Sequence, residues 1–132
     1  MLVDCGLFQG RRAETQERNR RVPYAVDRLD AVVLSHAHID HAGRLPFLVK
    51  EGFRGDIHAT AATRDLCEVM LADSAHIQEK DADFLKRHRK SVAEPLYVLR
   101  DVATTLTQMR PHRYRERFEV VPGVWATFTD AG

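Results

Sequence analysis

Short blocks of apolar residues open and close this chain, and a longer stretch with helical spacing lies between them. Ala31-Val32-Val33-Leu34 is brief, β-branched and bounded by polar residues, which predicts a buried strand. Residues 1–4 predict another strand, and residues 11–20 a polar helix or loop. Residues 43–51 predict a helix stopped by Gly52, and residues 56–60 a short strand. From Thr63, which is placed to cap its start, an amphipathic pattern runs through Leu66, Met70 and Ile77 to Phe84 and as far as Lys90. Asp101 predicts the cap of a further helix through Met109, with Val102, Leu106 and Met109 on one face. Residues 118–121 and 124–129 alternate as two strands around the turn Pro122-Gly123. Strand and helix alternate and a hairpin closes the chain, so the expected class is α/β, one sheet with helices covering a face. No internal repeat, low-complexity tract or linker interrupts it.

The chemistry concentrates at residues 36–41, His-Ala-His-Ile-Asp-His, directly after the apolar strand and before a helix. Turns anchored in this way are common seats of active sites. On an extended segment alternate side chains share a face, so His36, His38 and Asp40 are expected to point together. His41 breaks the alternation and swings to a neighbouring point as the chain turns. Imidazole with carboxylate suits Zn²⁺, with Mn²⁺ or Fe possible, whereas an all-oxygen set would suit Mg²⁺ or Ca²⁺. The expected division is His36 and His38 on one ion, Asp40 and His41 on a second. Two ions roughly 3.5–4 Å apart can share a hydroxide and clamp a phosphoryl or acyl group. The alternative, ordinary histidines without metal, would suit a stray residue better than four candidate ligands in six positions.

The remaining chemistry is less pointed. His76 lies mid-helix, either structural or facing substrate, and His58 reads as a satisfied sheet residue. Residues 8–11, Phe-Gln-Gly-Arg, form either a lip of the site or an ordinary connection. Cys5 and Cys67 are far apart, which predicts small buried hydrophobes rather than a disulfide framework, and so a reducing, cytoplasmic setting.

Length and composition add bounds. At 132 residues and 44% hydrophobic, the chain fits one domain or part of one. No apolar run approaches the roughly 20 residues that span a bilayer, so no membrane is expected. The net charge of +1 conceals basic groups at Arg11, Arg12, Arg18, Arg20 and Arg21, at residues 86–90, and at Arg110, His112, Arg113, Arg115 and Arg117. Such groups permit binding to a nucleic-acid backbone, and equally describe solvated faces. Oligomeric state is not legible.

His-x-His-x-Asp-His after a strand resembles the metallo-β-lactamase fold. The flanking segments narrow the resemblance: residues 2–10, Leu-Val-Asp-Cys-Gly-Leu-Phe-Gln-Gly; residues 34–46; residues 59–66, Ala-Thr-Ala-Ala-Thr-Arg-Asp-Leu; and the terminal Asp130-Ala131-Gly132. Together they look like the β-CASP branch, RNA-processing nucleases related to the endonuclease that cleaves mRNA 3′ ends. That resemblance implies a partial αββα fold and a metal-dependent hydrolase acting on RNA phosphodiesters with two zinc ions, Mn²⁺ being possible. It implies that His36, His38, Asp40 and His41 hold the metals, that Asp40 and His41 serve the chemistry with Asp40 steadying a bridging hydroxide, and that Asp4 orients the metal-binding turn from behind.

Family members are several times longer. Residues 1–132 are therefore expected to form part of a metallo-β-lactamase domain truncated at both ends, without the CASP insertion, the C-terminal half or the histidine that follows Asp-Ala-Gly. Such a piece should bind metal weakly and show little or no activity alone, with the general acid lying elsewhere. Two other functions stay open: hydrolysis of small thioesters, lactams or lactones, and a non-catalytic truncated paralogue.

Overall fold

A computed structural model describes residues 1–10, 12–89 and 94–131. Arg11, Lys90 and Gly132, which carried expectations above, lie outside the described residues, as do the side chains of Arg12 and Arg89. Strand β1 is Leu2–Val3, helix α1 Arg12–Arg20, and β2 Ala31–Val33; a single 3₁₀ turn, Val26–Arg28, precedes β2. Helices α2 (Ile39–Ala42) and α3 (Leu45–Lys50) follow, then β3 (Asp56–Thr60), α4 (Ala61–Arg89) and α5 (Leu99–Gln108). The chain closes with β4 (Met109–His112), β5 (Arg117–Val121) and β6 (Val124–Thr127).

The first four strands form one parallel sheet in the order β1-β2-β3-β4. Sequential parallel strands need crossovers of one hand, which sends the helices to one face. On that face Val32, Leu34, Ile57 and Ala59 pack with Leu45, Leu48, Phe53, Leu71 and Tyr97, all at most 1% exposed. The hairpin β5-β6 does not extend this sheet, as a one-sheet reading expected; it is a separate antiparallel ladder. Its Phe118 and Val120 pack on Ala31 and Val33, the alternate residues of β2. The order of layers is thus helices, parallel sheet, hairpin.

Three elements differ from the sequence pattern. The helix expected over residues 43–51 is α3, Leu45–Lys50, and a separate short helix, α2 (Ile39–Ala42), precedes it inside the motif, the two parted at Gly43-Arg44. Pro46 explains the break: it has no N–H to give the carbonyl four residues back, and it sits in the first turn of α3, where that loss costs nothing. Gly52, with φ of 112°, ends α3 as expected. Met109 begins a strand rather than ending a helix. Asp101 does not cap α5 from in front; it sits inside, its carboxylate accepting the N–H of Val98 at 3.0 Å. Val98 offers no side-chain acceptor in return.

The long helix also buries a different stripe. Thr63, Cys67, Leu71, Ala75 and Ala82 face the core, while Leu66, Ile77 and Phe84 are more than half exposed. Small residues let α4 lie close to the sheet, a gain that a count of large apolar positions misses. Its cap is Thr60, not Thr63: Thr60 Oγ1 accepts the Thr63 N–H at 3.2 Å and donates to Thr63 Oγ1 at 2.9 Å. Both residues are buried. Thr60→Ala should therefore cost about 1–2 kcal/mol, the upper part of the range for a lost cap, in denaturant unfolding. An unchanged midpoint would remove Thr60 from that role.

Candidate metal centre

The motif turn is held by a short backbone zipper. Cys5 N–H donates to the His41 carbonyl at 2.7 Å, Leu7 N–H to Ile39 at 3.0 Å, and Arg44 N–H to Cys5 at 2.8 Å. The loop after β1 thus runs against residues 39–44. Gly6 sits where the two backbones meet: a Cβ there would lie 1.6 Å from the Asp40 carbonyl oxygen. Only glycine admits that approach. His38 is extended and starts α2, so Asp40 and His41 lie on the helix.

The alternation expected of an extended run therefore stops at His38 and does not reach Asp40. Within the turn the imidazoles gather. The His36 and His41 ring centroids are 4.0 Å apart and those of His36 and His38 4.6 Å, so His36 is nearer to His41 than to the partner expected of it. Asp40 is exposed, with Oδ2 3.7 Å from His41 Nε2, too long for a hydrogen bond.

Asp4 lies behind the rings and organises them. Its Oδ1 accepts the Ser35 backbone N–H at 2.7 Å, and its Oδ2 faces Ser35 Oγ and His41 Nδ1, each at 2.8 Å. Ser35 Oγ also meets His36 Nδ1 at 2.9 Å. An ionised carboxylate only accepts, and a hydroxyl has one proton to give. The protons are thereby assigned: His41 Nδ1–H and Ser35 O–H both donate to Asp4, and His36 Nδ1–H donates to Ser35. A neutral imidazole held in this way keeps its Nε2 lone pair outside the network. Partial burial works to raise the Asp4 pKa, but the hydrogen bonds from His41 and from the Ser35 backbone and hydroxyl outweigh it and hold the carboxyl below its usual range. Asp4 takes a left-handed backbone, φ 57°, which aspartate tolerates better than most residues.

Whether these residues suit a metal turns on donor type and donor number. The type fits, since histidines fixed through Nδ1 and open at Nε2 are the usual form of a zinc ligand. The number is short: among the described residues no group of three or more His, Cys, Asp or Glu side chains is disposed to hold an ion. Ser35 and Gly6 lie within the sequence motifs, where the pattern alone assigns them no role. The signal for both was available, a hydroxyl next to the first histidine and a glycine directly after the strand that carries Asp4.

The surroundings complete the site. Cys5 and Cys67 are buried and free, and burial pushes each thiol up to about 11, which suits inert packing. Arg44 is buried, its guanidinium giving a hydrogen bond to the Arg21 carbonyl at 2.5 Å and lying over the Phe8 ring. A cavity of about 500 Å³ opens beside the turn, with Leu7 and Ile39 in its wall and Met70, Ile77 and Leu96 around it. His76 is exposed on α4. The basic groups are partly spent within the fold: Arg18 stacks on Phe8, Arg20 bonds the Glu94 carbonyl, Arg21 pairs with Glu17, and Arg110 with Asp56. Among the described residues no helix is long and apolar enough to cross a membrane.

This strand, turn and helix belong to a known class: residues 1–66 match the metallo-beta-lactamase superfamily, and the chain is a member of it. Over 118 residues it is 38% identical to Ribonuclease TTHA0252 of Thermus thermophilus, a match covering 88% of this chain and 23% of that protein. It is 31% identical to Transcription termination factor FttA of Methanosarcina mazei, over the whole of this chain and 19% of the relative, and 31% identical to the FttA of Lokiarchaeum sp. over the same shares. The chain thus spans about a fifth of the length of these relatives. The resemblance to the β-CASP branch is borne out by these matches.

Proposed function

We propose that this chain carries the metal-binding turn of a metal-dependent hydrolase that cleaves RNA phosphodiesters, within a metallo-β-lactamase domain to which residues 1–132 contribute part. The observation that carries the proposal is the hydrogen-bonded run His36–Ser35–Asp4–His41, which engages each imidazole through Nδ1 and leaves its Nε2 outside the network. His36, His38, Asp40 and His41 would hold zinc, two ions being the expected complement. When bound, such ions supply Lewis-acid chemistry, lowering the pKa of water and offsetting charge on a phosphoryl group. Asp4 fixes the tautomer and direction of His41, Ser35 does the same for His36, and the exposed Asp40 carboxylate can accept a proton or hydrogen bond beside them. RNA as substrate is supported by the two relatives' names, a ribonuclease and a transcription termination factor. The two buried free cysteines accord with a reducing cytoplasm as its setting.

With two protein ligands for each ion, metal affinity of these 132 residues should be weak and turnover slight or absent. Zinc should still raise the melting temperature in a concentration-dependent way, worth about 2.7 kcal/mol once zinc reaches a hundredfold excess over its dissociation constant. His38→Ala should remove most of that gain; an equal gain in the variant refutes the ligand assignment. Hydrolysis of labelled RNA beside a lactam and thioester panel, by a protein of the relatives' length bearing this turn, separates RNA cleavage from small-molecule hydrolysis. No turnover of either would favour a non-catalytic role.

A further inference from the structure

On the sheet face turned away from the helices, a second pair of histidines meets under the hairpin. His58 Nδ1 and His112 Nε2 are 2.8 Å apart, linking β3 to β4. The His112 ring stacks on Phe118 of β5 with centroids 3.7 Å apart and planes 12° from parallel; His58 stacks on the same ring at 5.3 Å. Phe128, just past β6, lies 5.2 Å from Phe118. His58 is 6% exposed, and its Nε2 is buried without a hydrogen-bond partner.

We propose that His58 and His112 form an acid-sensitive latch that holds the β5-β6 hairpin against the parallel sheet. A contact of 2.8 Å between two ring nitrogens requires one to donate and the other to accept. The neutral pair meets that condition and a singly protonated pair can. When both rings are charged neither has a lone pair left, and two like charges face each other under the hairpin. The aromatic stack above them must then lift away.

The charged groups facing the pair do not cancel this effect. Asp56 on β3 favours a proton on His58 and Arg110 on β4 opposes it, while those two form an ion pair with each other at 3.0 Å. Glu116, before β5, favours a proton on His112. From β2 the neighbour is Val33, and the hairpin contributes Phe118, Val120 and Phe128, none of them titratable. The Val120 backbone favours the charged form of His58 without closing a hydrogen bond to its Nε2. Burial outweighs these influences and lowers the pKa of both rings, for His58 together with the neighbouring His112. Lowered folded pKa values mean that the latch contributes fully above the ordinary histidine range, about 6.5, and is lost as pH falls through the folded values.

Amide hydrogen exchange on the 132-residue chain tests the latch, because a two-stranded hairpin is marginal once undocked. Between about pH 7.5 and pH 5, protection at Phe118 and Val120 should fall about tenfold for each unit by which the pair lies below an unfolded histidine, after correction for intrinsic rates. Leu71 and Ala75 on α4 should hold. In His112→Phe, which can stack on Phe118 but cannot titrate, the difference between hairpin and helix should shrink to the part that the buried His58 alone supplies. Ring titration by NMR on the unsubstituted chain gives an independent reading, and should find both histidines below the ordinary value. A normal midpoint for either ring, hairpin and helix amides weakening in step, or hairpin protection that holds at pH 5 would each overturn the proposal.

Discussion

Gly6→Ala should unfold the histidine turn at residues 36–41 more severely than any conservative core truncation. The added methyl would sit 1.6 Å from the Asp40 carbonyl oxygen and 2.6 Å from the His41 nitrogen, both backbone atoms that cannot rotate aside. The loop must retreat, which lengthens or breaks the Cys5–His41 and Leu7–Ile39 hydrogen bonds. Overpacking and two lost backbone bonds together should cost on the order of 3–5 kcal/mol. For a domain of this size the melting temperature should fall by on the order of 10 °C or more. Zinc should no longer restore it, since Asp4 and His41 move apart with the loop. Gly52→Ala is the comparison: a Cβ there meets nothing within 4 Å, so only the strain of its φ of 112° remains. If the two variants melt alike, the close approach at Gly6 is not what fixes the turn.

The second large effect is expected of Asp4→Asn, and it concerns protons rather than packing. Asparagine tolerates the left-handed backbone at position 4 and can still accept the Ser35 N–H. Its NH₂ group, however, would occupy the position that now receives two donors, Ser35 O–H and His41 Nδ1–H. His41 relieves the clash by moving its proton to Nε2, which removes the lone pair offered to a metal. Zinc affinity should therefore fall about 10–100-fold, the usual consequence of losing the group behind a histidine ligand. Titration calorimetry measures that loss, and ¹⁵N spectra of His41 report the tautomer. Undiminished zinc affinity with the proton still on Nδ1 would show that Asp4 does not direct the ring. Because the folded carboxyl titrates below its usual range, Asp4 contributes stability above that range and loses it as pH falls; the variant should lack that part of the acid transition.

Much of the site was legible because its signals are local. A β-branched run, a cluster of ligand-type residues and the following apolar segment lie in unbroken sequence, and the structure seats them on β2, the turn and α2. What escaped the sequence depends on distance. The gathering of His36 with His41 follows from α2 beginning at Ile39, and Pro46, which ends that helix early, lies outside the motif. The buried stripe of α4 is built on Cys67, Ala75 and Ala82, residues whose size lets the helix come close but gives little hydrophobic signal. Strand β4 contains Arg110, Pro111 and His112, a poor strand by composition; its place is secured by pairing with β3. His58 read alone as an ordinary sheet residue because His112, 54 residues away, supplies its partner.

The run from His36 to His41 through Asp4 closes over a separation of only 37 residues, and every group in it precedes β3. Loop-closure entropy grows only logarithmically with length, so a segment this short brings its ends together at modest cost. During synthesis the four participants leave the ribosome in one stretch, ahead of α4 and the hairpin. The geometry of the histidine turn is thus set within residues 4–41, and the layers that follow bury and stiffen it.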